Sequence, residues 1–487
     1  MAQNVMNVDT KHPLYTEFHP EYIRVDDCVA GERRIKKAGD LYMPRPSAWD
    51  DARFHNYLLR ARFMNGTART LAALIGIAME KPLGVNMGQS FDYLREDSDG
   101  KGKSINQLFR DALSQNLRKG RGGILLDNTA INDGEYLQER TIAQNSGERW
   151  VLRNFEALQI INWRTVNGKL SLLVLKYEEE TESDGFECDL TTVWLEYRIV
   201  EGKCYGRVWK SPKGMAQPAA VVFGSGAEQT ELIPLTINNQ PLTFIPFAWY
   251  GAENNDEVPD APPLADLASL NIGHYQADAD IAESAFIAGQ PTPAVSGLTE
   301  AWAKNFIKNG VNLGAMEGLL LPVGAKLDIV QAKETTVSFT RQDRIESQMA
   351  KMGAKFIERG TGNRTATQAT DESQTDNSIL SQCVGNVESA INLALSWIDA
   401  GNITATKRFV AVQVDSQALV SMMAAVQSNL MLIEDFVKWQ QQIGLADQNK
   451  TVDQIVSELK NQVIDLPESD YTDVTNNDND NSSGAAE

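Results

Sequence analysis

Apolar positions recur at a helical period in the first third of the chain. From Ser47 to Met79, Phe54, Leu58, Ala61, Met64, Leu71, Leu74, Ile75 and Ala78 fall near a 3.6-residue spacing with a break at Asn65-Gly66, which predicts two helices with one apolar face each. A further helix is expected over Ser104 to Leu117, leading through Gly120-Arg121-Gly122-Gly123 into the apolar strand Ile124-Leu125-Leu126-Asp127. Glycines beside a strand invite a phosphate-loop reading, but that loop runs from strand through glycines and Lys-Ser/Thr into a helix. Here the order is reversed, and a tight turn is expected. Residues 1–46 are polar and end in Pro44-Arg45-Pro46, which predicts an irregular, extended arm.

The period changes between residues 150 and 250. Trp150 to Arg153, Leu170 to Tyr177, Thr192 to Val200, Cys204 to Trp209 and Leu242 to Trp249 are rich in Val, Tyr, Trp, Thr and Leu. Asn167-Gly168, Asp184-Gly185 and Glu201-Gly202 punctuate them, so an antiparallel β region is predicted. The acidic run Glu178 to Glu182 is expected as a solvated tip between strands. Pro259 to Pro263 stiffens the chain ahead of a long helix over 264–288, with Leu264, Leu267, Asn271, His274, Asp278, Ile281 and Ala285 at helical spacing. At 1.5 Å per residue it would be about 37 Å long. His274 is expected as a structural polar contact on it.

Residues 289–335 mix Pro, Gly and short apolar runs and read as a small α+β insertion. A second long helix is expected from Thr336 to Glu358, then a polar loop from Arg359 to Thr367 and a third long helix from Asp376 to Ala400, ending at Gly401. Thr406 to Val414 reads as a strand returning to the β region. Three helices follow, Ser416 to Asn429, Ile433 to Gly444 and Thr451 to Ile464, with caps at Ser416, Gly444 and Thr451. From Pro467 onwards acids, Asn, Ser and Gly occur without Lys or Arg, which predicts disorder. No internal repeat is visible.

Composition narrows the functions. The 487 residues, enough for roughly three domains, carry 45 Lys and Arg against 65 Asp and Glu, a formal charge of −20. Such a balance argues against a protein that grips nucleic acid. The charge is graded: residues 1–130 hold 19 basic and 16 acidic side chains, residues 131–263 hold 11 and 20, and the remainder 15 and 29. Within the acidic half, Lys333 to Arg364 has seven positive residues against four acids, which suits either a solvated helix face or a surface that lets nucleic acid pass. Cys28, Cys188, Cys204 and Cys383 form no CxxC pair, and His12, His19, His55 and His274 sit at no ligand spacing, so reduced buried thiols and no metal or cofactor are expected. The longest apolar run, Leu71 to Met79, is half a membrane span, and the amino terminus lacks a cationic start followed by an apolar stretch. A cytosol-like compartment is expected. No GxSxG, HExxH, Walker A or calcium-loop pattern occurs, so the chain is not expected to be an enzyme. Asp26-Asp27 and Asp50-Asp51 are expected at the surface or as caps.

Several stretches carry a family resemblance: Asp27-Cys28-Val29-Ala30-Gly31-Glu32-Arg33, Gly39-Asp40-Leu41-Tyr42-Met43-Pro44-Arg45, Arg60 to Thr70 and Lys81-Pro82. Pro263-Leu264-Ala265-Asp266-Leu267 before the first long helix and Thr365-Ala366-Thr367 before the third add to it. With the order of elements, they resemble the portal proteins of tailed bacteriophages, in a portal-like family catalogued as a domain of unknown function (the DUF4055 type). The resemblance implies an α+β portal fold. Residues 1–263 would form a wing joined by the strand 402–415, and 264–288 with 336–358 the stem helices. Residues 289–335 would form the clip, 359–401 the tunnel loop and third helix, 416–466 a helical crown, and 467–487 a disordered acidic tail.

The implied function is a ring, usually of twelve subunits, at one capsid vertex, through which double-stranded DNA is packaged and ejected without sequence readout. Arg359, Asn363, Arg364, Thr365 and Thr367 would face the DNA, and Arg341, Arg344, Lys351 and Lys355 would lie on the stem. Trp302, Phe306, Leu319, Leu320 and Leu321 would dock the terminase large subunit and then a head–tail adaptor; core packing of the insertion accounts for them equally well. Major capsid and scaffolding proteins would be further partners, with no membrane, in a virion assembled in the host cytoplasm. The competing readings are another phage structural or scaffold protein that forms no ring, and a metal-dependent nucleic-acid enzyme built from dispersed carboxylates.

Overall fold

The computed structural model describes residues 8–128, 149–182, 188–210, 228–229, 232–237, 240–290, 292–309, 323–330, 336–355, 378–407, 422, 424–426, 428, 430–442 and 451–464. The chain forms two compact units, residues 1–409 and 410–487. The first mixes helices and strands, as an α+β fold does.

The amino-terminal region corrects the expectation of an extended arm. Helix α1 (Pro13–Ala30) starts on a proline and buries Tyr15, Tyr22, Val25 and Cys28, and α2 (Glu32–Ala38) buries Ile35. The apolar stripe of α1 is thin, one residue per turn or fewer among charged neighbours, and Pro20 lies inside it; both features mask the helical period. Asp26 and Asp27 serve neither as caps nor as solvated groups. Asp27 is buried and accepts from Arg34 Nε at 3.0 Å and Tyr42 Oη at 2.8 Å, while Asp26 pairs with Arg118 and, at 2.9 Å, with the fully buried Lys119.

Helices α3 (Asp51–Arg60) and α4 (Gly66–Ala78) are separated by the non-helical residues 61–65, so the break is wider than Asn65-Gly66. Asp50 caps α3 by accepting from Arg53 N at 2.7 Å, and Asn65 caps α4 by accepting from Ala68 N at 2.9 Å. After the short strand β1 (Gly84–Met87), α5 (Ile105–Lys119) opens with a capping box between Ser104 and Gln107 and stops at Gly120, which takes the left-handed conformation at φ 63°.

Among the described residues, ten strands and two-residue pairings follow: β2 (Arg121–Asn128), β3 (Trp150–Glu156), β4 (Ile160–Val166), β5 (Lys169–Glu182), β6 (Cys188–Val200), β7 (Lys203–Lys210), β8 (Glu228–Gln229), β9 (Ile233–Pro234), β10 (Thr236–Ile237) and β11 (Gln240–Pro241). Strand β12 (Phe247–Gly251) closes the region and pairs antiparallel with β2, which also pairs with β3. A larger antiparallel sheet runs β4-β5-β6-β7-β8, with β9 added to β7. Left-handed Asn167-Gly168 and Glu201-Gly202 make its two tight hairpins. The run Glu178 to Glu182 is not a tip: it lies inside β5, paired as far as Glu182 with Cys188. Strand pairing satisfies its backbone whatever its side chains face, so an acidic stretch can continue a strand. The three-stranded sheet separates two cores. Ile124 and Leu126 of β2 face a helical core and Leu125 faces the β core, the alternation a pleated strand imposes.

Beyond the Pro-rich lead-in lie α6 (Ala265–Ala288), β13 (Thr292–Ser296), α7 (Glu300–Asn309), β14 (Lys326–Val330) and α8 (Thr336–Lys355). Strands β13 and β14 pair antiparallel. Helix α9 (Ile379–Ser396), capped by Ser378, then packs into the helical core. It stops short of Ala400 in a turn at Trp397–Asp399, where Asp399 has a positive φ. Strand β15 (Gly401–Thr404) pairs with β1; most of the expected strand from Thr406 to Val414 lies outside the described residues. Gly401 permits this pairing: at its φ of 117° and beside the close Asn86–Met87 backbone there is no room for a Cβ. In the second unit, α10 (Ile433–Gln442) packs on α11 (Val452–Ile464), whose first turn is capped by Thr451 and Gln454.

Cys28, Cys204 and Cys383 are buried free thiols, and burial pushes each up to about 12. No described helix is long and apolar enough to cross a membrane.

Candidate functional site

Helix α6 is gripped by the amino-terminal helices α1, α3 and α4 and the segments between them. Asn271, fully buried, accepts from both Thr67 N and Thr67 Oγ1 at 3.0 Å and donates to Met64 O at 2.7 Å. Cys28 Sγ lies 3.6 Å from Ala268 O, and Gln276 Nε2 donates to Tyr42 O at 2.8 Å. Further along, Asp278 accepts from Arg62 N at 2.7 Å, Asp280 accepts from Tyr57 Oη at 2.8 Å, and Glu283 pairs with Arg60 and Arg53. Asp278, Asp280 and Glu283 are therefore engaged by the helix's own chain. The last turn is less covered: Phe286 is 42% and Ile287 46% exposed, with the Arg60 guanidinium 4.1 Å over the Phe286 ring.

Helix α8 returns along α6 and buries only a narrow seam, Ile345 and Met349 with Met352 partly covered. His274, expected as a structural polar contact, joins the two helices. It is buried, with Nε2 3.0 Å from Glu346 Oε1 and 3.2 Å from Gln342 Nε2. The result is a two-helix arm with the β13–β14 pair and α7 between its helices. By length α6 extends about 36 Å and α8 about 30 Å.

The sequence-selected residues distribute unequally over this arm. Arg341, Arg344, Lys351 and Lys355 are all exposed on α8, and among the described residues none has an ion pair or hydrogen-bond partner. They share one flank: their spacing, with Gln348 between, is three and four residues in alternation. Trp302 is half-buried on α7, and Phe306 belongs to the same helix. The proposed DNA-facing residues Arg359, Asn363, Arg364, Thr365 and Thr367, and the docking residues Leu319, Leu320 and Leu321, lie outside the described residues.

Reading charges by type alone missed the opposite flank of α8, where Phe339, Asp343, Glu346 and Ala350 recur at four, three and four residues and are all exposed. Val337, 71% exposed, heads the basic flank in the same way that Phe339, 48% exposed, heads the acidic one. Helical spacing applied to the polar residues as well as the apolar ones would have found both stripes. Elsewhere, an open groove of about 490 Å³ between α4 and α5 has an apolar floor of Leu71, Ile75 and Met79 with Asn106 and Arg110 at its edge. It holds no pair of acids and no nucleophile with a base. Among the described residues, no group of three or more His, Cys, Asp or Glu is placed to hold a metal ion.

The arm lies within a segment that a family model matches. A family described as a domain of unknown function (DUF4055) matches residues 263–400, from the end of the Pro-rich lead-in to the end of the α9 turn. None of the curated proteins matches the chain. Among solved structures, a chain of the virion of a native gene transfer agent particle is similar at 12% identity and a TM-score of 0.37, over 85% of this chain and 99% of that one. A chain of the neck of an empty gene transfer agent particle is similar at 13% identity and a TM-score of 0.38, over 83% and 96%.

Proposed function

We propose that this protein is a portal: a structural component of a phage-like particle that assembles into a ring-shaped channel at one capsid vertex. Double-stranded DNA passes through it during packaging and ejection, and the ring serves as the head–tail connector on which the terminase large subunit and then an adaptor dock. The observation that carries the reading is the α6–α8 arm. Its inner helix α6 is held against the body along most of its length, by Asn271, Asp278, Asp280 and Glu283, whereas its outer helix α8 keeps two exposed flanks, and a small α+β element lies between the two helices in sequence. A pair of long helices with the inner one held by the body and the outer one free along its sides is suited to standing beside copies of itself around an axis. The order of elements on either side and the resemblance of Arg60 to Thr70 and Pro263 to Leu267 to portal sequences support the same reading.

A conduit needs weak, sequence-independent contact with DNA. A chain of net charge −20 fits that need, since twelve copies would carry about −240 and repel the phosphate backbone at all but a few basic rings. No bond-making chemistry is assigned to the chain.

Native mass spectrometry with class averages from negative-stain images tests the reading. A closed ring with a central channel, near 650 kDa for twelve copies of 53.8 kDa, is the expected outcome. A stable monomer or dimer at micromolar concentration, together with metal-dependent cleavage of DNA, would replace it with the enzyme alternative.

A further inference from the structure

The two exposed flanks of α8 carry opposite charge and cannot satisfy each other. At about 100° per residue, the seam of Ile345, Met349 and Met352 faces α6, and the two flanks lie roughly 100° to either side of it. One flank is Val337, Arg341, Arg344, Gln348, Lys351 and Lys355, with four positive charges and no acid; the other is Phe339, Asp343, Glu346 and Ala350, with two acids and no base. Residues on opposite sides of one helix cannot form the three- or four-residue pairs that usually neutralise helix surfaces. Among the described residues only Glu346 of these has a partner, His274, and that carboxylate stays 48% exposed.

We infer that these flanks are the two halves of one interface, the basic flank of α8 in one copy docking on the acidic flank of α8 in a second copy. The inference deepens the ring reading and rests on it. Copies related by rotation about an axis parallel to α8 place their helices parallel, so residues at similar heights meet. Val337 then faces Phe339, Arg341 and Arg344 bracket Asp343, Gln348 faces Glu346, and Lys351 lies over the small Ala350. Both apolar side chains at the head of the flanks find cover, which accounts for two large hydrophobic groups standing in solvent on the isolated chain. The aliphatic stems of Arg and Lys add apolar contact along the remainder, over about 27 Å from residue 337 to 355. A two-fold dimer through the same surface would set basic against basic or acid against acid. The charge pattern therefore selects a head-to-tail contact, which repeats until a ring closes.

Two variants test this. One reverses the basic flank, Arg344→Glu with Lys351→Glu, and has acids on both sides. The other reverses the acidic flank, Asp343→Lys with Ala350→Lys, and has bases on both sides. All four sites are exposed and none belongs to the seam, and an unchanged far-ultraviolet spectrum confirms folding. Each variant alone is expected to assemble at least about tenfold more weakly than the natural chain. Mixed in equal amounts, they are expected to regain rings in which the two masses occur in equal number, because each supplies the flank the other lacks. Rings of natural stability from either variant alone would overturn the interface and leave the ring reading standing. A folded mixture that stays unassembled would do the same. If the basic-flank variant still forms rings but loses retention of a double-stranded DNA fragment on a filter, the flank faces nucleic acid, and the proposal fails. If the natural chain forms no ring, both readings fall together.

Discussion

Asn271 of α6 caps a helix to which it does not belong. Its side-chain oxygen accepts from Thr67 N and Thr67 Oγ1, both at 3.0 Å, in the first turn of α4, and its amide donates to Met64 O just before that turn. The first N–H groups of a helix have no partner within it, and both Thr67 and Asn271 are 0% exposed, so water cannot substitute. This one amide ties the base of the arm to the amino-terminal helices.

Replacing Asn271 by Leu should therefore cost far more than a surface change. Two donors would be left buried without partners, each worth about 1–3 kcal/mol, while Met64 O would keep its bond from Gly66 N; a loss of about 2–5 kcal/mol is expected from urea unfolding of the natural chain and the variant. Asn271→Asp keeps the acceptor toward Thr67 but opposes a carboxylate to Met64 O; a smaller loss is expected. Equal midpoints for all three proteins would show that the cap contributes nothing.

Gly120 marks a second point of obligatory geometry. It ends α5 at φ 63°, and a Cβ there would lie 2.7 Å from Asp260 O and 2.8 Å from Ala261 O. Gly120→Ala adds left-handed strain of about 1 kcal/mol to a clash with backbone that cannot rotate away. Unfolding stability should fall by about 2–4 kcal/mol, whereas Gly76→Ala, where no atom lies within 4 Å of the new methyl, should be neutral or slightly stabilising.

How much of this was legible in the sequence follows from what each signal measures. The α3–α4 break, the α5 capping box and the long α6 and α8 are written in local spacing and cap residues, and local rules read them. The role of Asn271 depends on a residue 204 positions away, and no local pattern encodes such a pairing. Helix α1 was concealed because its buried face is made of widely spaced Tyr, Val and Cys among charges, and Pro20 argues against a helix until its place is known. The acidic part of β5 was concealed because alternation of apolar residues reports burial of a face, not pairing of a backbone. The opposed flanks of α8 were present in the spacing throughout, but a count of charges over Lys333 to Arg364 averages them into a single basic segment.

Asp127 and Arg153 form a buried ion pair at 3.0 Å across the β2–β3 ladder. Burial pushes the Asp127 carboxyl up in spite of the neighbouring guanidinium, which pulls it the other way. Arg153→Met should leave a carboxylate buried alone and cost about 3–5 kcal/mol, while Asp127→Asn combined with Arg153→Met should recover most of that loss. The Met side chain can still lie over Phe155 and Tyr177, whose rings the guanidinium now covers at 5.1 and 5.0 Å. A double-mutant cycle in urea measures the difference; strict additivity of the two changes would rule out the coupling.

The proposed channel loop yields a prediction in vivo. With Arg359→Ala and Arg364→Ala together, particles should still assemble but should hold or package DNA less efficiently, because two positive charges per subunit leave the ring. Unchanged yield of DNA-filled particles would remove these residues from the DNA path.

Acid sensitivity should centre on Glu196. This carboxylate is 3% exposed in β6. Burial by itself would raise it, but hydrogen bonds from Trp209 Nε1 and Arg207 and the charges of Arg207 and Arg198 outweigh burial and hold it below the usual carboxylate range. Trp209 Nε1 donates at 2.9 Å, Arg207 Nη2 at 2.8 Å and Arg198 Nε at 3.0 Å. With the folded-state value depressed, the unfolded chain binds more protons in acid. The contribution to stability is therefore complete above the unfolded value of about 4.3 and is lost as pH falls through the lower folded value. Glu196→Gln should cost about 1–3 kcal/mol at neutral pH. It should also flatten the fall in stability on the acid side of pH 5, because a neutral amide has no proton to gain. Unfolding in urea at pH 7, 5 and 4 measures both effects, and parallel pH dependence in the two proteins would place the acid-labile group elsewhere.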